Sequence, residues 1–134
     1  MTDITPVREL RLVVTVPDYD EAVRFYRDVL DLPELADFSS DEGRVMLLGA
    51  GRATIEIVDQ DQAEFIDRVE VGRRVAGHIR VAMEVDDAAE TTRRLAGGGA
   101  EILAEPTRTP WDSLNARLDA PGGLQLTLFT ELGN

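Results

Sequence analysis

The sequence predicts an α+β fold built from two copies of one unit, a strand, a helix and three strands (βαβββ). Two internal repeats support this prediction. The stretch 11–21 (RLVVTVPDYDE) is echoed 69 positions later by 80–90 (RVAMEVDDAAE). A glycine-led strand closes each copy, GRATIEIVD from Gly51 and GGLQLTLFT from Gly122. Because equivalent strand faces of duplicated units converge, we expect a cleft between the two copies that holds the working site.

The first copy begins with a strand over residues 10–16, where leucine and valine alternate with other side chains. Asp18 and Glu21 then have the spacing of a capping box. Apolar residues recur behind them at helical spacing as far as Val29 and Leu30, which predicts an amphipathic helix. Three further strands are predicted over 34–38, 44–48 and 54–58.

The second copy follows a polar stretch. Residues 59–77 show little periodicity, so they are predicted to link the modules or to form one irregular turn. Asp87 caps the second helix, and the glycine run 97–99 ends it. The segment 106–111 (PTRTPW) is predicted to be a loop. The predicted strands of this copy are 78–85, 101–104, 114–118 and 124–130.

Length and composition indicate a single domain, 1–134, with modules 9–58 and 78–131 joined by the linker 59–77. Twenty-six acidic against fourteen basic residues give a net charge of -12, which disfavours binding to nucleic acid or to anionic membranes. No apolar run approaches the roughly 20 residues of a membrane span, and the first residues do not resemble a signal peptide, so we expect a cytoplasmic protein. The lack of cysteine excludes disulfides, thiolate nucleophiles and zinc–thiolate sites.

Four phrases of the sequence carry a resemblance to a known family. They are VPDYDEAVRFYRDVL, GHIRVAMEVDD, AEPTRTPW and LDAPGGLQLTLF. Their order and spacing resemble the vicinal oxygen chelate superfamily of glyoxalases, bleomycin resistance proteins and extradiol dioxygenases. The resemblance covers nearly the whole chain and implies the glyoxalase-like fold, with two βαβββ modules whose curled mixed sheets surround a cleft. This fold is very often completed by a homodimer. It does not fix the reaction, because this fold supports many chemistries and some members catalyse none.

Metal-dependent members of this superfamily bind the ion through one residue on the first and one on the last strand of each module. Matched phrase by phrase, these positions fall on Arg11, Glu56, Arg80 and Thr127, with His78 as an alternative for the third. A guanidinium has no lone pair to offer a cation, and threonine is a poor ligand for a divalent metal. Only Glu56 and His78 suit an ion, fewer than the three protein ligands that catalytic sites normally keep. The sequence therefore favours no metal cofactor. One divalent ion on Glu56 and His78, completed by water, is the alternative.

Strand alternation predicts which polar side chains line the cleft. They are Arg11, Glu56, His78, Arg80, Glu84, Gln125 and Thr127. Two arginines in such a place need negative partners, since an unpaired buried charge costs several kcal/mol, on the order of 3 or more. Either Glu56 and Glu84 neutralise Arg11 and Arg80, or an arginine binds a carboxylate or phosphate of a ligand. Trp111 is predicted either to form the rim of the cleft or to anchor the core.

Three functional hypotheses remain open. The leading one is a metal-independent protein that binds a small organic molecule in the cleft, as bleomycin-binding relatives do. The second is a lyase, isomerase or dioxygenase in which Glu56 or His78 acts as an acid, a base or a metal ligand. The third is a chiefly structural role for a homodimer. A homodimer is expected under each hypothesis, because open sheets expose edges that a second copy can cover. The ligand, the reaction and the dimer geometry are not specified by the sequence.

Overall fold

The computed structural model describes residues 6–121 and 123–133, so Gly122, where the closing phrase of the second copy starts, lies outside the described residues. Residues 11–80 form one compact unit. Residues 81–121 and 123–133 form the other, together with residues 6–10. Within the described ranges, no helix has the length and hydropathy needed to cross a membrane.

The first unit contains the predicted βαβββ order. Its sheet has the strand order β2–β3–β4–β1, in which β1 and β4 are parallel and the other neighbours are antiparallel. The turn between β3 and β4 contains Gly51 in the left-handed region, at φ 69°. The strands are β1 (Val7–Thr15), β2 (Glu34–Asp37), β3 (Val45–Ala50) and β4 (Ala53–Val58).

The helix of the first unit starts as predicted and continues differently. Asp18 caps α1 (Tyr19–Val23) by accepting a hydrogen bond from the backbone N–H of Glu21 at 3.0 Å. From Arg24 to Val29 the chain continues as a π-helix, a turn with one extra residue that shifts the side-chain positions behind it. Val29 and Leu30, predicted on the apolar face, are 69% and 54% exposed as a result.

The stretch predicted to be an irregular linker contains a helix, and that prediction was wrong. The helix α2 (Gln60–Glu70) is capped by Asp59, whose carboxylate accepts the backbone N–H of Gln62 at 2.8 Å. Near its end the carboxylate of Asp67, fully buried, accepts three hydrogen bonds. The donors, each at 2.8 Å, are Nη1 of Arg74 and the backbone N–H groups of Val75 and Ala76.

The second unit repeats the βαβββ order, with strand order β5–β8–β7–β6 and a parallel β5–β8 pair. Its helix α3 (Ala88–Gly97) is capped at the N-terminus by Asp87, as predicted, and Gly98 is its C-terminal cap. The predicted loop 106–111 is partly strand, because β6 continues to Arg108 after a register shift between Ala104 and Thr107. The strands are β5 (Ile79–Val85), β6 (Glu101–Arg108), β7 (Ser113–Asp119) and β8 (Gln125–Glu131).

Each sheet packs one apolar face against its helix. In the first unit Val16, Met46, Leu48 and Ile57 form a core with Tyr19 and Val23 of α1. In the second unit Val85, Ala116, Leu118 and Leu128 form a core with Ala88 of α3. The opposite sheet face holds the polar side chains that strand alternation predicted there, and it is the face on which a site must be sought.

Candidate functional site

The polar face of the first sheet carries one ion pair. Arg11 on β1 and Glu56 on β4 lie on the same face, and Nη1 of Arg11 is 3.4 Å from Oε1 of Glu56. Their side chains are only 17% and 11% exposed. Val13 and Thr15, also on this face of β1, are buried. Glu56 is therefore a carboxylate held beside a permanent positive charge with little solvent around it.

The donor set at the four predicted metal positions does not suit a divalent cation. Arg11 is engaged with Glu56, Arg80 is a buried guanidinium on β5, and Thr127 is a buried hydroxyl on β8. In the part of the chain that the structure describes, no three His, Cys, Asp or Glu side chains cluster as metal ligands would. A single carboxylate next to a guanidinium leaves too few oxygen or nitrogen donors for a stable site.

His78, the other candidate for a metal or catalytic role, lies just before β5 and is exposed. Its backbone C=O accepts a hydrogen bond from the N–H of Thr15 at 2.9 Å, and both residues belong to the unit 11–80. The ion pair that we considered between Arg80 and Glu84 stays a prediction.

Trp111 lies in the turn between β6 and β7, next to Asp112, which has a left-handed φ of 64°. The indole side chain is 43% exposed, so Trp111 does not anchor the core. The rim position remains a prediction. An exposed indole on a turn offers a flat apolar surface with one hydrogen-bond donor.

The polar face of the second sheet is richer than the sequence suggested. Gln125 and Thr127 were predicted on this face of β8, and Thr127 is buried there. Beside them on β7 lie Asn115 and Arg117, two side chains that were not among the predicted site residues. Arg117 is fully buried, and its Nη1 donates to Oε1 of Gln125 at 2.8 Å.

A hydrogen-bonded chain of small polar side chains continues this face. The hydroxyl of Ser113 donates to Oδ1 of Asn115 at 2.6 Å and lies 3.0 Å from the hydroxyl of Thr109. All three are buried. The strand alternation Ser113, Asn115, Arg117 could have revealed them, because a period of two in SLNARLD places these polar residues on one face and leucine and alanine on the other.

A separate groove of about 490 Å³ lies on the helix side of the first unit. Tyr19 forms part of its wall, and the guanidinium carbon of Arg44 lies 4.3 Å from the centre of the tyrosine ring. Arg44 also pairs with Asp20 at 2.9 Å. Burial raises the pKa of the Tyr19 hydroxyl above its ordinary value, and the nearby Ser39 side chain opposes this shift only in part.

Comparisons with known proteins identify the family and the fold of the chain. The family model of the Glyoxalase/Bleomycin resistance protein/Dioxygenase superfamily matches residues 10–128. No curated protein matches the chain significantly.

Solved structures with the same fold include methylmalonyl-CoA epimerase from Mycobacterium tuberculosis, with 21% identity and a TM-score of 0.68, covering 99% of this chain and 94% of that one. A variant of the Streptomyces coelicolor epimerase in complex with 2-nitronate-propionyl-CoA has 19% identity and a TM-score of 0.67, covering 96% and 100%. A hypothetical protein from Bacillus halodurans has 16% identity and a TM-score of 0.67, covering 92% and 94%. These similarities show the fold, and they confirm the predicted α+β, glyoxalase-like class.

Proposed function

Because the chain belongs to the glyoxalase/bleomycin resistance protein/dioxygenase superfamily, we propose that it binds a small organic molecule without the divalent metal that many members use. The ligand we propose carries a carboxylate or another anionic oxygen. The observation that supports this most directly is the contact of 3.4 Å between Arg11 and Glu56, at two of the positions where metal-dependent relatives would be expected to hold the ion.

Arg11 can replace part of what a metal does. A bound cation attracts ligand oxygens by its charge, and a guanidinium does the same through fixed N–H donors. Unlike an ion, Arg11 is attached to the chain and cannot be lost on dialysis. Glu56 balances the charge of Arg11, which reduces the cost of keeping a guanidinium largely out of water.

Metal content provides the first test. We expect purified, dialysed protein to contain far less than one zinc, nickel, manganese or iron per chain. About one tightly held ion per chain, together with a metal-dependent rise in Tm, would contradict the proposal and favour the alternative site on Glu56 and His78.

Ligand affinity provides the second test. The probes are methylmalonyl-CoA, the ligand bound in one epimerase structure of this fold, and a panel of small carboxylic acids with their methyl esters. Arg11→Met should weaken binding of the acids by about tenfold or more, the usual effect of losing a hydrogen bond to a charged group. Arg52, exposed in the turn between β3 and β4, offers a matched control, and Arg52→Met should change nothing. Equal affinity of the wild type for acids and esters would contradict an anionic ligand.

A second candidate adds turnover to the same residues. Glu56 is a buried carboxylate beside Arg11, and such a carboxylate could remove a proton from a carbon next to a carboxylate bound by the arginine. Proton NMR in heavy water would detect this activity as exchange of the α-hydrogen of methylmalonyl-CoA. Glu56→Gln should abolish the exchange. No exchange above the uncatalysed rate would leave binding as the function.

We also propose a homodimer. The strand β2 is an edge strand, and the exposed apolar side chains Leu35 and Phe38 lie on it and directly after it. Phe25, Val29 and Leu30 are exposed on the preceding helical segment of the same unit. An edge strand with exposed apolar residues favours pairing with a second copy. Light scattering that gives the mass of one chain across micromolar concentrations would contradict this proposal.

A further inference from the structure

The groove beside Tyr19, on the helix side of the first unit, contains two polar groups that form no hydrogen bond with the described part of the chain. They are the hydroxyl of Tyr19 and the guanidinium of Arg24. We propose that this groove is a second ligand site, which takes a small organic acid with one negative charge and an apolar body. The site involves neither Arg11 nor Glu56, so it goes beyond the proposed function.

Two of the three arginines in the groove wall are already paired. Arg27 binds both carboxylate oxygens of Asp28, through Nε at 2.9 Å and Nη2 at 3.3 Å, and its Nη1 lies 3.2 Å from Oε1 of Glu34. Arg44 binds both carboxylate oxygens of Asp20, at 2.9 and 3.4 Å. Such exposed pairs add little stability, but a ligand anion would have to break one of them to bind Arg27 or Arg44.

Arg24 is the third arginine of the wall, and its side chain is exposed. Among the described residues, no side chain forms an ion pair or a hydrogen bond with its guanidinium. Its charge acts within the groove, since it adds to the hydrogen bond and the charge of Arg27 in lowering the pKa of Asp28. A guanidinium presents its N–H donors in a planar fork, so Arg24 is the group to which a ligand carboxylate would bind.

The hydroxyl of Tyr19 is the second anchor. Tyr19 is only 7% exposed, and its hydroxyl has no hydrogen-bond partner within the residues that the structure describes. The nearby hydroxyl of Ser39 is engaged with Val45, whose N–H it accepts at 3.0 Å and whose C=O lies 3.5 Å away. A buried hydroxyl is rarely left without a partner. Ser39 is exposed in the irregular segment after β2, so a rotation of its side chain would admit a ligand oxygen to Tyr19.

The π-helical turn after α1 forms one wall of the groove. Arg24, Arg27 and Asp28 all lie in this turn. Such turns within helices are rare and occur frequently at functional sites. The equivalent helix of the second unit, α3, is an α-helix over Ala88–Gly97, so the repeat itself does not require a π-turn.

The floor and the charge of the groove define the ligand. Val23 and Met46, which belong to the apolar core of the first unit, form an apolar floor. The three arginines of the wall are balanced by three aspartates, Asp20, Asp28 and Asp37. A dianion such as a phosphate monoester would be repelled by these carboxylates, whereas a carboxylate brings a single charge to Arg24. The ligand class is therefore an apolar carboxylic acid with a further oxygen for Tyr19.

The probe that tests this site is 4-hydroxybenzoate, with 4-hydroxybenzamide as its uncharged counterpart and benzoate as the counterpart without the hydroxyl. Protein labelled with [¹³C-methyl]methionine reports binding, because Met46 lies in the groove floor and Met83 lies in the second unit. We expect 4-hydroxybenzoate to shift the Met46 methyl signal saturably. The amide should bind at least about tenfold more weakly, and benzoate severalfold more weakly. An unshifted Met46 signal, or equal shifts of Met46 and Met83, would overturn the proposal.

Two variants test the anchors. Arg24→Met should weaken binding of 4-hydroxybenzoate at least about tenfold and remove its advantage over the amide. Tyr19→Phe keeps the ring beneath Arg44 and should remove the advantage over benzoate. Arg52→Met, at an exposed arginine in the turn between β3 and β4, is the matched control and should bind as the wild type does. Unchanged affinity in Arg24→Met would overturn the ligand class, and unchanged affinity in Tyr19→Phe would overturn the contact with its hydroxyl.

Arg11→Met separates this site from the one in the proposed function. It should leave the Met46 titration unchanged, even where it weakens the binding of acids beside Glu56. A Met46 shift that disappears in Arg11→Met would show a single site and overturn the second one. A saturable Met46 shift in a protein whose affinity for acids does not depend on Arg11 would support the groove site and contradict the proposed function.

Discussion

The two copies of the repeat differ most on the sheet faces that point away from their helices. In the first unit that face is mixed, because the buried apolar residues Val13, Leu47 and Val58 lie beside two threonines and one ion pair, Arg11 and Glu56. In the second unit the equivalent face carries a continuous row of polar groups. These are Ser113, Asn115, Arg117, Gln125 and Thr127.

The faces that pack against the helices are alike in character. Both are built from valine, leucine and other apolar residues, and both helices begin at an aspartate cap. Even on these faces the side chains differ in size at equivalent positions, since α1 has Tyr19 where α3 has Ala88. The repeat therefore retains the packing that a sheet and a helix need, while the free face varies in chemistry. This is the division expected when folding constrains one face and ligand binding the other.

The largest expected effect concerns Asp67, which belongs to a part of the first unit without a counterpart in the repeat. Asp67→Ala would leave the N–H groups of Val75 and Ala76 and the guanidinium of Arg74 without their buried acceptor. We expect a loss of about 3–5 kcal/mol in the free energy of unfolding, the range for breaking a buried charged network by removing one partner. Urea unfolding of the variant and the wild type measures this loss. Asp61→Ala, at an exposed acid of the same helix, should cost less than about 1 kcal/mol.

A loss below about 1 kcal/mol in Asp67→Ala would show that α2 and the segment after it are held by other contacts. In that case the first unit would depend on its repeat-related core alone, as the second unit does.

A smaller effect is expected at two glycines that distinguish the units. A Cβ on Gly43 in the first unit would clash with the backbone nitrogen of Gln62, which cannot move without shifting α2. Gly43→Ala should cost about 2–3 kcal/mol, within the range for overpacking. Gly97 ends α3 in the second unit, and a Cβ there meets nothing within 4 Å. Gly97→Ala should stabilise the protein by about 0.4–1 kcal/mol. Thermal unfolding of both variants checks the pair, and a stabilised Gly43→Ala would contradict the close approach of Gly43 to α2.

The contrast between the units also explains what the sequence could predict. The repeated strands and the caps at Asp18 and Asp87 follow from local patterns, and they were predicted correctly. The helix α2 was missed because three of its five buried residues, Gln62, Asp67 and Glu70, are polar, and only Ala63 and Ile66 mark the buried face as apolar. The carboxylate of Asp67 accepts hydrogen bonds from Arg74, Val75 and Ala76 in the irregular segment after the helix, and a pattern search within the helix does not contain these contacts.

The candidate site shows the same limit. Arg11 and Glu56 could be placed together from strand alternation and the internal repeat, and the structure brings them to 3.4 Å. Strand alternation in β7 could have placed Arg117 on the polar face, but only the β7–β8 register shows that Gln125 is its neighbour. The π-helical turn after α1 was not predicted either, since its residues have no distinctive composition.

The smallest expected effect tests the difference between Tyr19 and Ala88 by pH. Burial raises the pKa of the Tyr19 hydroxyl in the folded protein, so the folded state keeps the proton to a higher pH than the unfolded state does. The stability that this contributes is fully present below the ordinary pKa of tyrosine and is lost as the pH rises through the raised value. All fourteen basic residues are arginine and there is no cysteine, so no lysine or thiol titration overlaps that of Tyr19. We expect the free energy of unfolding of the wild type to fall with increasing pH above about 10, and Tyr19→Phe to remove most of that fall. Tyr26→Phe is the matched control and should retain it. A pH dependence that survives in Tyr19→Phe would show that the Tyr19 hydroxyl is not desolvated in the folded protein.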